Sequence, residues 1–296
     1  MIHGSLVALV TPFDGNNRVD YASLKRLIDF HVDQGSSGLV IAGTTGESPT
    51  LRRSEHIELI GRSVEIAAGR IPVIAGTGSN STYQSIELSR AVYDPGLTAY
   101  MAVVPYYNKP TQEGIHQHYT AIADAIDKPL LMYNVPGRTI ADMLPETVGR
   151  LARHDNIFGL KEATGDMERL QQIQTVVADD FVLYSGDDFT LRPFIEQGGH
   201  GVVTVSGNVA PRQVARLCEL AMEGKADEAK ALDDRLQPLN KALFIESNPI
   251  PVKWAVSEMG LMEPHIRLPL TEYSDRYHEE MRSAMQKAGV DLEENA

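Results

Sequence analysis

Eight short apolar runs, each followed by a longer segment of helical period, constrain this chain more than any other feature. They fall at 6–10, 38–41, 73–75, 100–104, 130–133, 157–161, 182–184 and 202–205 and are rich in Val, Ile and Leu. Runs of this kind, without polar alternation, read as strands buried on both faces, and parallel strands need a crossover helix between them. Eight is the number that closes a barrel. The intervening segments agree: Leu24, Leu27, Ile28, His31 and Val32 recur at helical spacing, and Ser54 is placed to cap the segment that follows it. The pattern predicts an α/β chain folded as a (β/α)8 TIM barrel, with an open, doubly wound sheet as the competing architecture.

After Asn208-Val209-Ala210-Pro211 the rhythm changes to helices alone, expected at 213–223, 226–244, 251–259 and 272–288. The first closes the eighth β/α unit, which leaves about three for a C-terminal helical extension. The predicted organisation is a catalytic barrel over 1–224 and an extension over 225–296. No Gly, Ser and Pro run marks a linker between them. A length of 296 residues suits one barrel with an addition, since such barrels run to ~250 residues as a single unit.

A formal net charge of −13 argues against nucleic acid as a partner, because displacing counterions from phosphates needs a concentrated basic surface. The single cysteine, Cys218, lies in a helical run and is read as a buried small hydrophobe. The start, Met1-Ile2-His3-Gly4-Ser5, lacks the charge and apolar run of a signal peptide, and no apolar stretch approaches the ~20 residues that span a bilayer. The expectation is a cytoplasmic protein with no membrane partner.

In a barrel the reactive groups sit at the C-terminal ends of the strands. The residues there are not ordinary turn fillers. The second run ends in Gly43-Thr44-Thr45-Gly46-Glu47, the third in Gly76-Thr77-Gly78-Ser79-Asn80 and the fourth in Pro105-Tyr106-Tyr107-Asn108. The fifth ends in Tyr133-Asn134-Val135-Pro136-Gly137-Arg138, the sixth in Lys161-Glu162-Ala163, the seventh in Ser185-Gly186-Asp187-Asp188 and the eighth in Val205-Ser206-Gly207-Asn208.

Lys161 is the sharpest of these, because it follows Ile157-Phe158-Gly159-Leu160 where another apolar side chain would extend the core. A strand-end lysine facing inward loses hydration, and desolvation favours the neutral, nucleophilic amine. The plain structural alternative is a lysine that reaches the rim or pairs with Glu162. Tyr133 ends the neighbouring strand and is placed either to relay protons or to plug the core. The Gly43–Glu47 segment combines close backbone N–H groups with two hydroxyls, which suits a bound carboxylate. Arg138 offers a fork for a second carboxylate. Metal chemistry is not indicated: there is no cysteine pair, and His116 and His118 would project from different faces of a helix.

Together, Gly43-Thr44-Thr45-Gly46-Glu47, Tyr133-Asn134-Val135-Pro136-Gly137-Arg138-Thr139 and Lys161-Glu162-Ala163 resemble the motifs of the pyruvate-dependent Schiff-base aldolases, the N-acetylneuraminate lyase-like family, and within it the dihydrodipicolinate synthases. The resemblance covers nearly the whole chain. It implies a lyase of lysine and diaminopimelate biosynthesis in which Lys161 condenses with pyruvate, and the resulting enamine attacks L-aspartate 4-semialdehyde. No cofactor is implied beyond the covalent imine. By the same match Tyr133, Thr44 and Tyr107 form a proton relay, Tyr107 entering a neighbouring subunit's site across a dimer interface. Thr45 holds the pyruvate carboxylate, Arg138 holds that of the aldehyde, and Gly186 and Val203 line the pyruvate site, Val203 standing where isoleucine is common. A homotetramer built from tight dimers is the implied assembly.

Members of this family often bind lysine as a feedback inhibitor, and Ser48, His56, Asn80 and Tyr106 match that site. Arg53 replaces a common histidine and Gln84 a common glutamate, so a lost anion and an added cation predict weak feedback. Two other readings remain open at this point. A sugar-acid lyase, such as an N-acetylneuraminate lyase or keto-deoxy-sugar-acid aldolase, would share Lys161 and Tyr133 but has no use for Arg138. A non-catalytic paralogue that senses small molecules would keep the barrel alone.

Overall fold

A computed structural model describes residues 2–290 and residue 292. Met1, 291 and 293–296, to which the readings of the N-terminus and of the extension also ran, lie outside the described residues. The strands are β1 (Gly4–Ala8), β2 (Gly38–Ile41), β3 (Val73–Gly76), β4 (Ala99–Val103), β5 (Leu130–Asn134), β6 (Ile157–Glu162), β7 (Val182–Ser185) and β8 (Gly201–Thr204). Each pairs in parallel with the next, and β8 returns to β1 through Leu6 opposite Val203, so the sheet closes into a barrel. Closure rules out the doubly wound alternative. All eight expected runs are strands, with ends displaced by at most two residues.

The helices are α1 (Tyr21–Asp33), α2 (Arg53–Ala67), α3 (Thr82–Ala91), α4 (Gln112–Asp124), α5 (Pro136–Thr139), α6 (Pro145–Leu151), α7 (Met167–Gln174), α8 (Leu191–Glu196), α9 (Pro211–Met222), α10 (Ala226–Ala242), α11 (Ile250–Glu258) and α12 (His278–Ala288). Asp20 caps α1 by accepting from the Ala22 and Ser23 N–H groups. Ser54 does not cap α2: the helix begins one residue before it, and the Glu55 carboxylate reaches back to accept from the Arg52 N–H at 2.9 Å. The last helix is shorter than its periodicity suggests. Ser274 is tied to Glu246 instead, and a 3-10 turn over Asp275–Tyr277 precedes α12.

Side chains alternate across each strand, and the barrel sorts them into two cores. Leu6, Val40, Ile74, Met101, Leu131, Val182 and Val203 fill the interior. Val7, Leu39, Leu160 and Leu183 face outward into a second cluster shared with the helices. Leu236, Leu239, Met281 and Met285 of α10 and α12 belong to that same cluster, so the C-terminal helices complete the outer core. Cys218 is fully buried there, and burial pushes its thiol pKa up. Among the described residues, no helix is long and apolar enough to cross a membrane.

His31 lies fully buried on α1, with Nδ1 at 3.0 Å from the Ser36 hydroxyl and, among the described residues, no hydrogen-bond partner for Nε2. Burial holds its pKa down to about 3. An unfolded histidine titrates near ~6.5, so between those values the unfolded chain binds a proton that the folded chain does not. Stability therefore falls as pH drops below that upper value. From this residue alone a loss of about 2 kcal/mol is expected between neutrality and roughly pH 5. Urea unfolding of His31→Leu at both pH values should show a pH dependence smaller by about that amount; an unchanged dependence would contradict the assignment.

Candidate active site

The alternation on β6 decides where its two charged residues go. Gly159 and Lys161 face into the barrel, while Leu160 and Glu162 face out. In register, Lys161 sits between Tyr133 on β5 and Tyr184 on β7. Its side chain is 5% exposed, and Nζ lies 4.1 Å from the centroid of the Tyr133 ring. The two predicted partners therefore meet. Glu162 does not pair with the lysine: it accepts from Asn134 Nδ2 at 3.1 Å and from the Thr164 N–H at 2.9 Å, with Arg169 Nε at 3.4 Å. Burial pushes the Glu162 carboxyl above its ordinary range, against the opposing pull of these donors.

Gly186 makes the room that Lys161 occupies. A Cβ at that position would stand 2.6 Å from the Ala163 Cβ and 3.0 Å from the Lys161 Cε. Val203 is buried in the barrel interior, two strands away from Lys161. Of the two predicted liners of the keto-acid pocket, Gly186 abuts the lysine stem, and Val203 is a buried interior residue of β8.

The loop after β2 is tightly made. Ala42 and Glu47, at its two ends, both have left-handed backbones with φ of 55°. Gly46 is packed so closely that a Cβ would come within 3.1 Å of the Leu9 carbonyl, and its own carbonyl accepts from the Thr11 hydroxyl at 2.7 Å. Thr44 remains partly exposed and lines a cavity of about 700 Å³. Thr45 is buried, and its hydroxyl oxygen accepts from Asn248 Nδ2 at 3.0 Å. That bond leaves the Thr45 proton free for an acceptor.

Arg138 is exposed on α5 and lines the same cavity; its Nη2 donates one long hydrogen bond, 3.4 Å, to the Asn248 carbonyl. The chain beyond α5 is pinned to β5 and α7. Asn134 accepts from the Met143 N–H at 3.0 Å and donates to Asp142 at 2.9 Å, while Arg169 donates to Asp142 at 3.0 Å. Tyr107 stands apart from these groups. It is 87% exposed with a φ of 73°, projecting from the barrel rather than into it.

The residues assigned to a regulatory site divide. Ser48, His56 and Tyr106 line the cavity that also holds Thr44 and Arg138, together with Arg53 and Gln84. Asn80 does not line it; its carbonyl accepts from Asn108 Nδ2 at 2.8 Å. His56 is buried, with Nε2 at 2.8 Å from the Gly76 carbonyl, and burial lowers its pKa. Arg53 reaches across to donate to the Glu87 carbonyl at 3.2 Å. Among the described residues, no group of three or more His, Cys, Asp and Glu side chains is placed to hold a metal.

Two residues near the site escaped the sequence reading, Asn248 and Lys253. Both come from the C-terminal extension, about 200 positions from the loop they touch. Their only local signal is a polar Asn-Pro step and a lysine inside the apolar run Ile250-Pro251-Val252-Lys253-Trp254.

A profile of the Dihydrodipicolinate synthetase family matches residues 1–288. The chain belongs to that family. It is 57% identical over 290 residues to the 4-hydroxy-tetrahydrodipicolinate synthase of Ectopseudomonas mendocina, with 98% of this chain and 99% of the relative covered. The enzyme of the same name from Pseudomonas aeruginosa is 56% identical over the same shares. Among solved structures, the chloride-inhibited dihydrodipicolinate synthase of Acinetobacter baumannii complexed with pyruvate superposes with a TM-score of 0.96 at 46% identity, covering 98% of this chain and all of the other.

The contact at Gly186 gives this family fold a direct test. Gly186→Ala places a methyl group against the Lys161 stem, and overpacking of that kind costs about 1–3 kcal/mol. A crystal structure of the variant should show Lys161 in another rotamer with Nζ withdrawn from the Tyr133 ring. Parent geometry with parent thermal stability would mean that the glycine is not needed for the lysine's placement.

Proposed function

We propose that this chain condenses pyruvate with L-aspartate 4-semialdehyde, the activity for which its relatives are named, through an imine on Lys161. The observation that carries the reading is the position of the Lys161 amine. It is held out of water at the catalytic end of the barrel, against a phenol ring and away from the one adjacent carboxylate. A family match over the whole barrel supports it.

The neutral amine adds to the ketone carbon of pyruvate, and the carbinolamine loses water to give the imine. Protons must leave nitrogen and reach the departing oxygen, which is the role assigned to Tyr133 with Thr44 and, from a second copy, Tyr107. The exposure of Tyr107 suits a side chain that works in a neighbour's site. Thr45 and adjacent amides hold the pyruvate carboxylate, with Gly186 and Val203 shaping the pocket. Loss of a methyl proton turns the imine into an enamine, whose carbon attacks the aldehyde. The amine of the second substrate then closes the ring by adding to the imine carbon, and Lys161 departs.

Arg138 takes the second substrate's carboxylate. Its guanidinium is committed to a single long bond and faces the cavity, which favours a carboxylate-bearing aldehyde over a polyol chain. The active assembly is at least a dimer and, in this reading, a homotetramer of the cytoplasm that needs no cofactor. The barrel over 1–224 supplies the reacting groups, with the described part of the extension over 225–296 packed against it. The hollow at Ser48, His56 and Tyr106 is the regulatory lysine site, to which Asn80 contributes no lining. Gln84 and Arg53 make it a poor host for a cation.

Borohydride reduction in the presence of pyruvate should add mass to Lys161 alone, and Lys161→Ala should lose both the label and turnover by at least ~10³-fold; turnover at the parent rate would overturn the reading. Arg138→Ala should raise KM for the aldehyde by ~10-fold or more with pyruvate trapping unchanged. In steady-state assays lysine should inhibit only at millimolar concentration, and micromolar inhibition would show that Arg53 and Gln84 do not weaken the site.

A further inference from the structure

Thr44 and Thr45 have roles in the proposed reaction, whereas Glu47, the last residue of the same loop, and the buried lysine it meets have none. Lys253 on α11 and Glu47 form an ion pair at 2.5 Å with each side chain 1% exposed. Both carboxylate oxygens of Glu47 are occupied, Oε1 by Lys253 Nζ and Oε2 by the Arg267 N–H at 3.1 Å. The ring of Phe13, from the loop after β1, packs against both cations, with Lys253 Nζ at 4.2 Å and the Arg267 guanidinium at 4.1 Å from its centroid. Five residues earlier, Asn248 donates to Thr45. The extension therefore grips the loop at two points, one on each side of Gly46.

Stability alone does not account for the pair. Removing two charges from water costs as much as their attraction returns, and apolar residues of like size generally do as well or better. Burial pulls the Lys253 pKa down to about 8 although Glu47 opposes the fall. What an ion pair with every oxygen engaged does provide is a single position. This loop needs one, because Ala42 and Glu47 hold left-handed backbones that non-glycine residues rarely adopt.

We infer that Lys253 and Glu47 are positioning residues: the ion pair lets the C-terminal extension hold the Gly43–Glu47 loop where Thr44 and Thr45 serve the Lys161 imine. The inference rests on the proposed activity, and the pair touches neither substrate nor reacting atoms. It gives the extension a positioning role at the site in addition to its part in the outer core.

The test is the neutral pair E47Q/K253M in the full-length chain, read by three measurements. Thermal unfolding should match or exceed the parent. Amide exchange of residues 43–47 should quicken by about tenfold or more while the β6 amides near Lys161 stay as protected as before. Pyruvate kcat/KM, and the rate of borohydride trapping at Lys161, should fall by about tenfold or more. Parent-like trapping and parent-like loop exchange in a folded double variant would overturn the inference and reduce the pair to a structural ornament. Should the double variant not fold, E47Q alone, which removes the charge and keeps one acceptor oxygen for the two donors, is judged on the same loop exchange and trapping rates. Failure of the unsubstituted protein to trap pyruvate at Lys161 would instead refute the proposed activity, and loop exchange would still decide whether the clamp exists.

Discussion

The exclusion of water from one amino group organises this molecule. A closed parallel barrel has no edge, and its inward side chains pack in layers with the last layer open only at the C-terminal end. Lys161 belongs to that last layer, with Tyr133 on one neighbouring strand, Tyr184 on the other and the missing side chain of Gly186 above it. Move it one residue along β6 and it would face the outer core among the helices. The chemistry assigned to it depends on that parity.

Around this centre the structure separates two kinds of polar group. Those on the cavity side, Thr44 and Arg138, have hydrogen-bonding capacity left over for a ligand. The buried carboxylates are instead engaged by protein: Glu162 by Asn134 and Thr164 with the Arg169 guanidinium beside it; Asp188 by the Val205 and Ser206 N–H groups at 2.8 and 3.0 Å; Glu47 by Lys253 and Arg267. Buried carboxylates that are fully engaged fix backbone positions, and each of these three sits within two residues of a loop that borders the site. Asp188 shows the cost of the arrangement, since burial raises its pKa despite its hydrogen bonds. The loop backbones are thus fixed by buried groups outside the cavity that Thr44 and Arg138 line.

Much of this was legible from local pattern. The strands were visible because an inward and an outward apolar core leave a strand no polar face, and the helices because one stripe of each must bury against that sheet. Lys161 stood out as a charge ending an apolar run, and Gly186 and Arg138 came with the family's motifs. What local pattern misjudged has equally local causes. Ser54 has the composition of a cap, but Glu55 offers a carboxylate one residue later and the helix starts to suit it. Periodicity alone extends the last helix back to 272, where a bond from Ser274 to Glu246, 28 residues away, competes successfully with the helix.

The sequence by itself determined the barrel, the order of its units and the identity of the amine, because these follow from side-chain period and from which residue terminates each apolar run. Only the tertiary structure decided that Lys161 lies on Tyr133 while Glu162 turns away to Arg169, that Thr45 is held by Asn248, and that Glu47 is locked by Lys253. Those contacts join segments up to about 200 residues apart. No repeating pattern encodes them: they arise when closing the barrel brings loop ends together and leaves each buried polar atom to find whatever partner the fold has placed within hydrogen-bonding reach.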